Sequence, residues 1–258
     1  MTNNIFILYL VIHIIGDYYL QSEKLAEEKK HKIRNVLLHG LLYLFISLIF
    51  IVPIWSSKIF IYTLIFAGTH FIIDIIKFFL YLIINCKRCI TAAKFLKRED
   101  ERGSIYVIDQ VLHLVSIYII SHYFLHNNVI TSWIPFNICD FTNNFNTNQL
   151  LRFTLMTTLL MKPVNITFRK LLSYVKPKED EKDNNMNNGR LVGNLERLLV
   201  AVLLILNQYT AIGLVFTAKS ISRYDKIANN KEFAEYYLLG TLFSMLSTLV
   251  IYLAIFKL

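Results

Sequence analysis

Residues 59–85 read IFIYTLIFAGTHFIIDIIKFFLYLIIN, an apolar run that carries His70, Asp74 and Lys77. About 20 apolar residues suffice to cross a bilayer as a helix. Residues four apart on a helix share a face. An ionisable group inside a span is costly and faces a bundle interior or a wet cavity. His70 and Asp74 are therefore expected to point inward together. The same spacing recurs in two other apolar runs, as His13 with Asp17 and Asp109 with His113. Chance gives roughly 0.4 such His/Asp matches in a chain of this composition; here there are three pairs.

The remainder of the chain fits the same class. It has 258 residues, of which 55% are hydrophobic and 17% charged, against about 25% charged in a typical soluble domain. The expected fold is an all-α polytopic transmembrane bundle of about seven spans, at 4–21, 35–55, 59–85, 104–126, 149–172, 190–217 and 234–256. We read residues 1–258 as one integral membrane domain, with a His/Asp-bearing four-helix half (1–126) and a carboxyl-terminal three-helix half (149–258). Pro163, after Lys162, is expected to kink or end the fifth helix. The apolar run after Met1 follows no basic region and precedes no small-residue cleavage site, so it reads as a retained first helix.

The formal charge of +9 needs no nucleic acid, because basic residues concentrate in alternate loops. Lys24, Lys29, Lys30, Lys32 and Arg34 follow the first span. Lys87, Arg88, Lys94, Lys97, Arg98 and Arg102 follow the third, and Arg169, Lys170, Lys176, Lys178, Lys182 and Arg190 the fifth. Residues 127–148 contain no Lys or Arg. The positive-inside rule then puts the amino terminus outside and the carboxyl terminus in the cytoplasm of a bacterial cell, with the spans in its inner membrane. Lys219, Arg223, Lys226 and Lys231 break the pattern if the sixth span crosses fully.

This orientation gives the polar groups a common depth. His13, Asp17, His39, His70, Asp74, Asp109 and His113 all fall toward the cytoplasmic ends of their spans, and Glu196 and Arg197 lie at a similar level of the sixth. The seven His and Asp residues are the candidate metal ligands. Mixed imidazole and carboxylate suits Zn, Mn or Fe better than Ca or Mg. Asp74, Asp109 and Glu196 are the candidate catalytic carboxylates. Lys77, Arg197, Lys219 and Arg223 are the candidate anion- or substrate-binding groups. The competing reading of any single pair is an intrahelical hydrogen bond that only neutralises its two members.

Other signals are weaker. Arg197, Gln208 and Lys219 would line one stripe of a continuous sixth helix. Gly189 and Gly193 form a small-xxx-small packing pattern. His122 and His126 sit at the opposite end of span four, and His31 lies in a charged loop. Cys86 and Cys89 form a CxxC with no second ligand pair nearby.

Together HIIGDYYLQ (13–21), LLH (37–39), HFIIDIIK (70–77), DQVLH (109–113), GRLVGNLER (189–197), AKSISRY (218–224) and EYYLLGTLFS (235–244) resemble an uncharacterised bacterial polytopic membrane family, domain of unknown function 3307. The resemblance implies a multi-pass membrane protein and supports the site residues without naming a reaction. A looser similarity, in residue types alone, is to inner-membrane metal-dependent hydrolases. Three functions follow. The first is hydrolysis of a lipid-linked or phosphorylated substrate at the metal. The second is an ion- or proton-coupled transporter. The third is a non-catalytic membrane partner, docking through its basic loops. The partners expected in every case are membrane lipids.

Overall fold

The computed structural model describes residues 4–85, 99–126, 147–171 and 186–257, and every regular element among them is helical. Cys86, Cys89 and most of the basic residues of the loops after spans three and five lie outside the described residues. Among the described residues, four helical stretches are long and apolar enough to cross a membrane: Ile33–Ile54, Ser57–Ile83, Gly103–Tyr123 and Lys231–Phe256. Between 22% and 33% of each apolar window is buried inside the protein. Leu41, Phe45, Ile61, Ile72, Ile108 and Leu246 instead face outward, which suits lipid and not water. These helices mark the chain as membrane-associated. The chain divides into two compact units, Met1–Leu155 and Met156–Leu258.

In the first unit, α1 (Asn4–Ile14) continues as a π-helical stretch, Ile15–Leu20. A short α2 (Glu23–Glu28) follows, capped by the Ser22 hydroxyl, which accepts from the Leu25 amide at 3.2 Å. Then come α3 (Ile33–Ile51), α4 (Ser57–Asn85) and α5 (Glu99–His126). Helix α4 packs on α3 and α5, and α1 packs on the same two helices. The apolar core holds Ile12, Ile51, Ile59 and Ile117, with Tyr9 stacked on Phe66 at 4.5 Å. Two glycines set how closely the helices approach. A Cβ on Gly16 would lie 2.6 Å from Tyr43 Cδ2, and one on Gly40 would lie 2.5 Å from Phe71 Cδ2. Tyr43 is buried and stacked on His70 at 3.6 Å, so its ring has nowhere to retreat.

The second unit holds the rest of α6 (Thr147–Leu171), then α7 (Met186–Ile205), α8 (Tyr209–Ile221), the single-turn α9 (Tyr224–Asn229) and α10 (Lys231–Phe256). Helix α6 runs through Pro163 to Leu171 and does not end there. Val200, Leu204, Ile212 and Tyr252 form the core where α7, α8 and α10 meet.

The expected continuous sixth span is corrected. Asn207 has φ 57°, the Gln208 amide donates to Leu203 O at 2.8 Å, and the Asn207 amide donates to Leu204 O at 3.1 Å. This is a Schellman motif, which ends a helix with one left-handed residue, and Asn tolerates that conformation better than most residues. The chain turns back, and Lys219 Nζ on α8 reaches Glu196 Oε2 on α7 at 2.5 Å. Arg197, Gln208 and Lys219 therefore do not share one helical stripe. A Cβ on Gly193 would meet the Arg197 guanidinium at 3.5 Å, and one on Gly189 would meet nothing within 4 Å among the described residues.

Candidate metal centre

Four elements of the first unit carry the seven expected ligands: the α1–π-helix segment, α3, α4 and α5. His13 closes α1 and Asp17 stands in the π-helical stretch, with Nδ1 and Oδ2 4.0 Å apart. The i→i+5 pattern of a π-helix widens the turn and turns Asp17 toward α3 and α4. Asp17 Oδ1 lies 2.9 Å from His70 Nε2 and 3.2 Å from His39 Nε2. His39 Nε2 also lies 3.5 Å from Asp74 Oδ2. The ring of His113 lies 4.4 Å from that of His70 and 4.9 Å from that of His13. The three pairs thus converge on one interior region, where His13, His39, His70, Asp74, Asp109 and His113 are all buried.

The hydrogen bonds decide which atoms remain available. His113 Nδ1 lies 2.8 Å from the backbone oxygen of Asp109. A carbonyl oxygen only accepts, so Nδ1 carries the proton and the neutral ring offers its lone pair at Nε2. A ring N–H given to a backbone carbonyl or carboxylate is the usual arrangement behind a metal-bound histidine. His70 repeats it, with Nε2 directed at Asp17 and Nδ1 left over. His13 Nε2, His70 Nδ1, His113 Nε2 and Asp109 Oδ1 are buried side-chain atoms without a hydrogen-bond partner. A buried polar atom without a partner costs about 1–3 kcal/mol, so four in one place point to a ligand. Among the described residues, three groups bring donor atoms within 4.8 Å of one another: His13/Asp17/His70, His39/His70/Asp74 and Asp74/Asp109/His113.

Two lysines touch this centre. Lys77 Nζ lies 2.5 Å from Asp109 Oδ2. Lys29 Nζ lies 2.7 Å from Asp74 Oδ2. Lys29 was legible in the sequence only as one of several loop charges; its role depends on Ser22 and α2 folding the loop back. Gln110 donates to Asp109 Oδ2 at 3.2 Å and accepts from Tyr18 Oη at 2.9 Å, and Tyr18 meets Tyr106 at 2.6 Å. Tyr18, Tyr43 and Tyr106 had no distinguishing signal among the other aromatic residues.

The other expected site residues lie in the second unit. Arg197 is buried; Nε donates to Leu160 O at 2.7 Å, and Nη2 to Asn165 Oδ1 at 2.7 Å and Asn194 Oδ1 at 2.6 Å. Glu196 is held by Lys219, and Arg223 is exposed at the start of α9. In the first unit, His122 stacks on Tyr118 and His31 is exposed.

Residues 5–139 match a family described as a protein of unknown function (DUF3307). The chain belongs to this family. The match takes in α1 through α5, and with them every residue of the His/Asp cluster. Comparison with curated proteins gives no match, and comparison with solved structures gives none.

Proposed function

We propose that this family member is a bacterial inner-membrane, metal-dependent hydrolase of a lipid-linked or phosphorylated substrate. The observation that carries the reading is the set of buried side-chain atoms without a hydrogen-bond partner on His13, His70, His113 and Asp109. Such atoms suit Zn, Mn or Fe, with His39, Asp17 and Asp74 completing the ligand supply. A bound divalent ion polarises a phosphoryl or carbonyl oxygen and acidifies water. In the hydrolysis, the water oxygen adds to phosphorus or carbon, the ester bond breaks, and a water proton ends on the leaving oxygen. Asp74 and Asp109 would help to hold the ion, and Lys77 with Lys29 would attract the substrate anion. Glu196 remains in its pair with Lys219.

The topology we propose keeps the amino terminus outside and changes the far end. The ten helical steps from Glu196 to Leu206 rise about 15 Å, about half of a hydrocarbon core of ~30 Å. Helices α7 and α8 then form a re-entrant hairpin that returns Lys219, Arg223, Lys226 and Lys231 to the cytoplasmic side. This restores the positive-inside pattern and places the carboxyl terminus outside, after six crossings in place of seven.

The test is metal analysis of detergent-purified protein, followed by phosphate-release assays on lipid phosphates with the metal restored. Stoichiometric metal with metal-dependent release supports the reading; absence of metal after supplementation with Zn, Mn and Fe rejects it. An ion- or proton-coupled transporter is the second reading. The Lys77–Asp109 pair favours it, because paired charges within spans mark ion pathways. Proton flux through metal-free protein in liposomes would select it.

A further inference from the structure

We propose that the centre holds two divalent cations, not one; the inference rests on the metal-centre reading above. Two of the ligand groups, His13/Asp17/His70 and Asp74/Asp109/His113, have no residue in common. Each supplies three donors, two of which belong to side chains with an unpartnered buried atom. These are His13 Nε2 and His70 Nδ1 in one group, and Asp109 Oδ1 and His113 Nε2 in the other. These four residues are each 5% exposed or less. A single ion in either group would leave the lone pairs of the other without a partner.

Three protein donors are also the complement of a catalytic metal site that keeps its remaining position open. The groups are adjacent, since the His70 and His113 rings are 4.4 Å apart. That proximity suits paired ions about 3.5–4 Å apart, which clamp the attacking and leaving oxygens of a phosphoryl transfer. His39 joins the halves. Its Nε2 lies 3.2 Å from Asp17 Oδ1 and 3.5 Å from Asp74 Oδ2, one carboxylate from each group.

Charge then names the substrate class. With both ions present, the carboxylates of Asp17, Asp74 and Asp109 cannot neutralise two divalent cations and the ammonium groups of Lys29 and Lys77. Asp109 Oδ1 would take an ion while Oδ2 keeps Lys77, and Lys29 sits on Asp74 Oδ2, so both ammonium groups would stay at the edge of the centre and add to its attraction for an oxyanion. A phosphate ester supplies the missing negative charge and the oxygens to bridge the pair.

The experiment loads full-length protein in detergent with Mn²⁺ alone, counts bound ions by mass spectrometry and records its electron paramagnetic resonance spectrum. Two Mn²⁺ per chain with an exchange-coupled spectrum is the expected result. His13→Ala and His113→Ala should each reduce the count to one and leave an uncoupled six-line spectrum. One ion per wild-type chain, or two that show no coupling, overturns the two-ion centre but leaves a metal centre standing. No bound Mn²⁺ overturns the two-ion centre, and no bound Zn or Fe in parallel loadings overturns the metal reading as well. The wild-type count decides the matter even if a variant does not fold.

Discussion

In the first unit, buried atoms of His13, His70, Asp109 and His113 lack hydrogen-bond partners. In the second, the buried Arg197 gives Nε and Nη2 to Leu160, Asn165 and Asn194. Both networks place costly polar groups in apolar helices. The second directs its donors at neutral acceptors of α6 and α7, and so ties two helices together. The first has several carboxylates and imidazoles whose capacity the protein itself leaves unused. Sequence alone ranks Arg197 beside Asp74 as a charged residue in a span; the distribution of hydrogen bonds separates an architectural group from a candidate ligand.

The substitution that strains this contrast most is Asp74→Asn. The amide keeps the shape but loses the charge that compensates a cation. Metal affinity should fall more than about 100-fold, beyond the 10–100-fold typical of partners one layer out, while the protein remains inserted and folded. Metal titration of wild type and variant side by side measures this. Unchanged metal content would reduce Asp74 to a partner of Lys29 and His39.

Arg197→Leu should produce the opposite profile. Leu160 O, Asn165 and Asn194 lose a donor, at a cost of ~3 kcal/mol in all, so thermal unfolding in detergent shifts down. Metal content should stay as in wild type. A loss of metal in this variant would join the two networks and erase the distinction.

Gly16→Ala tests how tightly the first network is built. The added methyl meets Tyr43 Cδ2 at 2.6 Å, and overpacking typically costs about 1–3 kcal/mol. Because Tyr43 lies against His70, metal affinity should fall together with stability. The hairpin of the second unit gives a smaller effect. Asn207→Val should cost about 1–2 kcal/mol, whereas Asn207→Gly should be tolerated, both read from thermal unfolding.

The smallest effect lies at the edge of the first unit. Glu28 accepts from Asn35 at 2.7 Å, and Lys32 lies 3.4 Å away; that hydrogen bond first and this charge second hold its carboxyl below the usual 4.5. A depressed carboxyl stabilises the fold above its ordinary value, and this contribution fades as pH drops below 4.5. The protection of amides 29–35 against exchange, relative to the intrinsic rate at each pH, should fall slightly over that acid range, and Glu28→Gln should remove this pH dependence.

Residue order alone determined the helical class, the apolar stretches and the inward pairing of His13 with Asp17, His70 with Asp74 and Asp109 with His113. All of these follow from period and length, which are local properties. Family membership was legible in the motifs for the same reason. Helix packing decided the rest, because it depends on contacts between residues far apart in the chain. Lys29 enters the centre only because Ser22 caps a short helix that folds the loop back onto Asp74. Asp17 meets His39 and His70 through a π-helical turn that no spacing rule announced. The sixth apolar run looks continuous in composition, and a single Asn at positive φ turns it into a hairpin. Which imidazole nitrogens retain a free lone pair was fixed last of all, by the backbone carbonyl and carboxylate that the tertiary structure set against the opposite nitrogen of each ring.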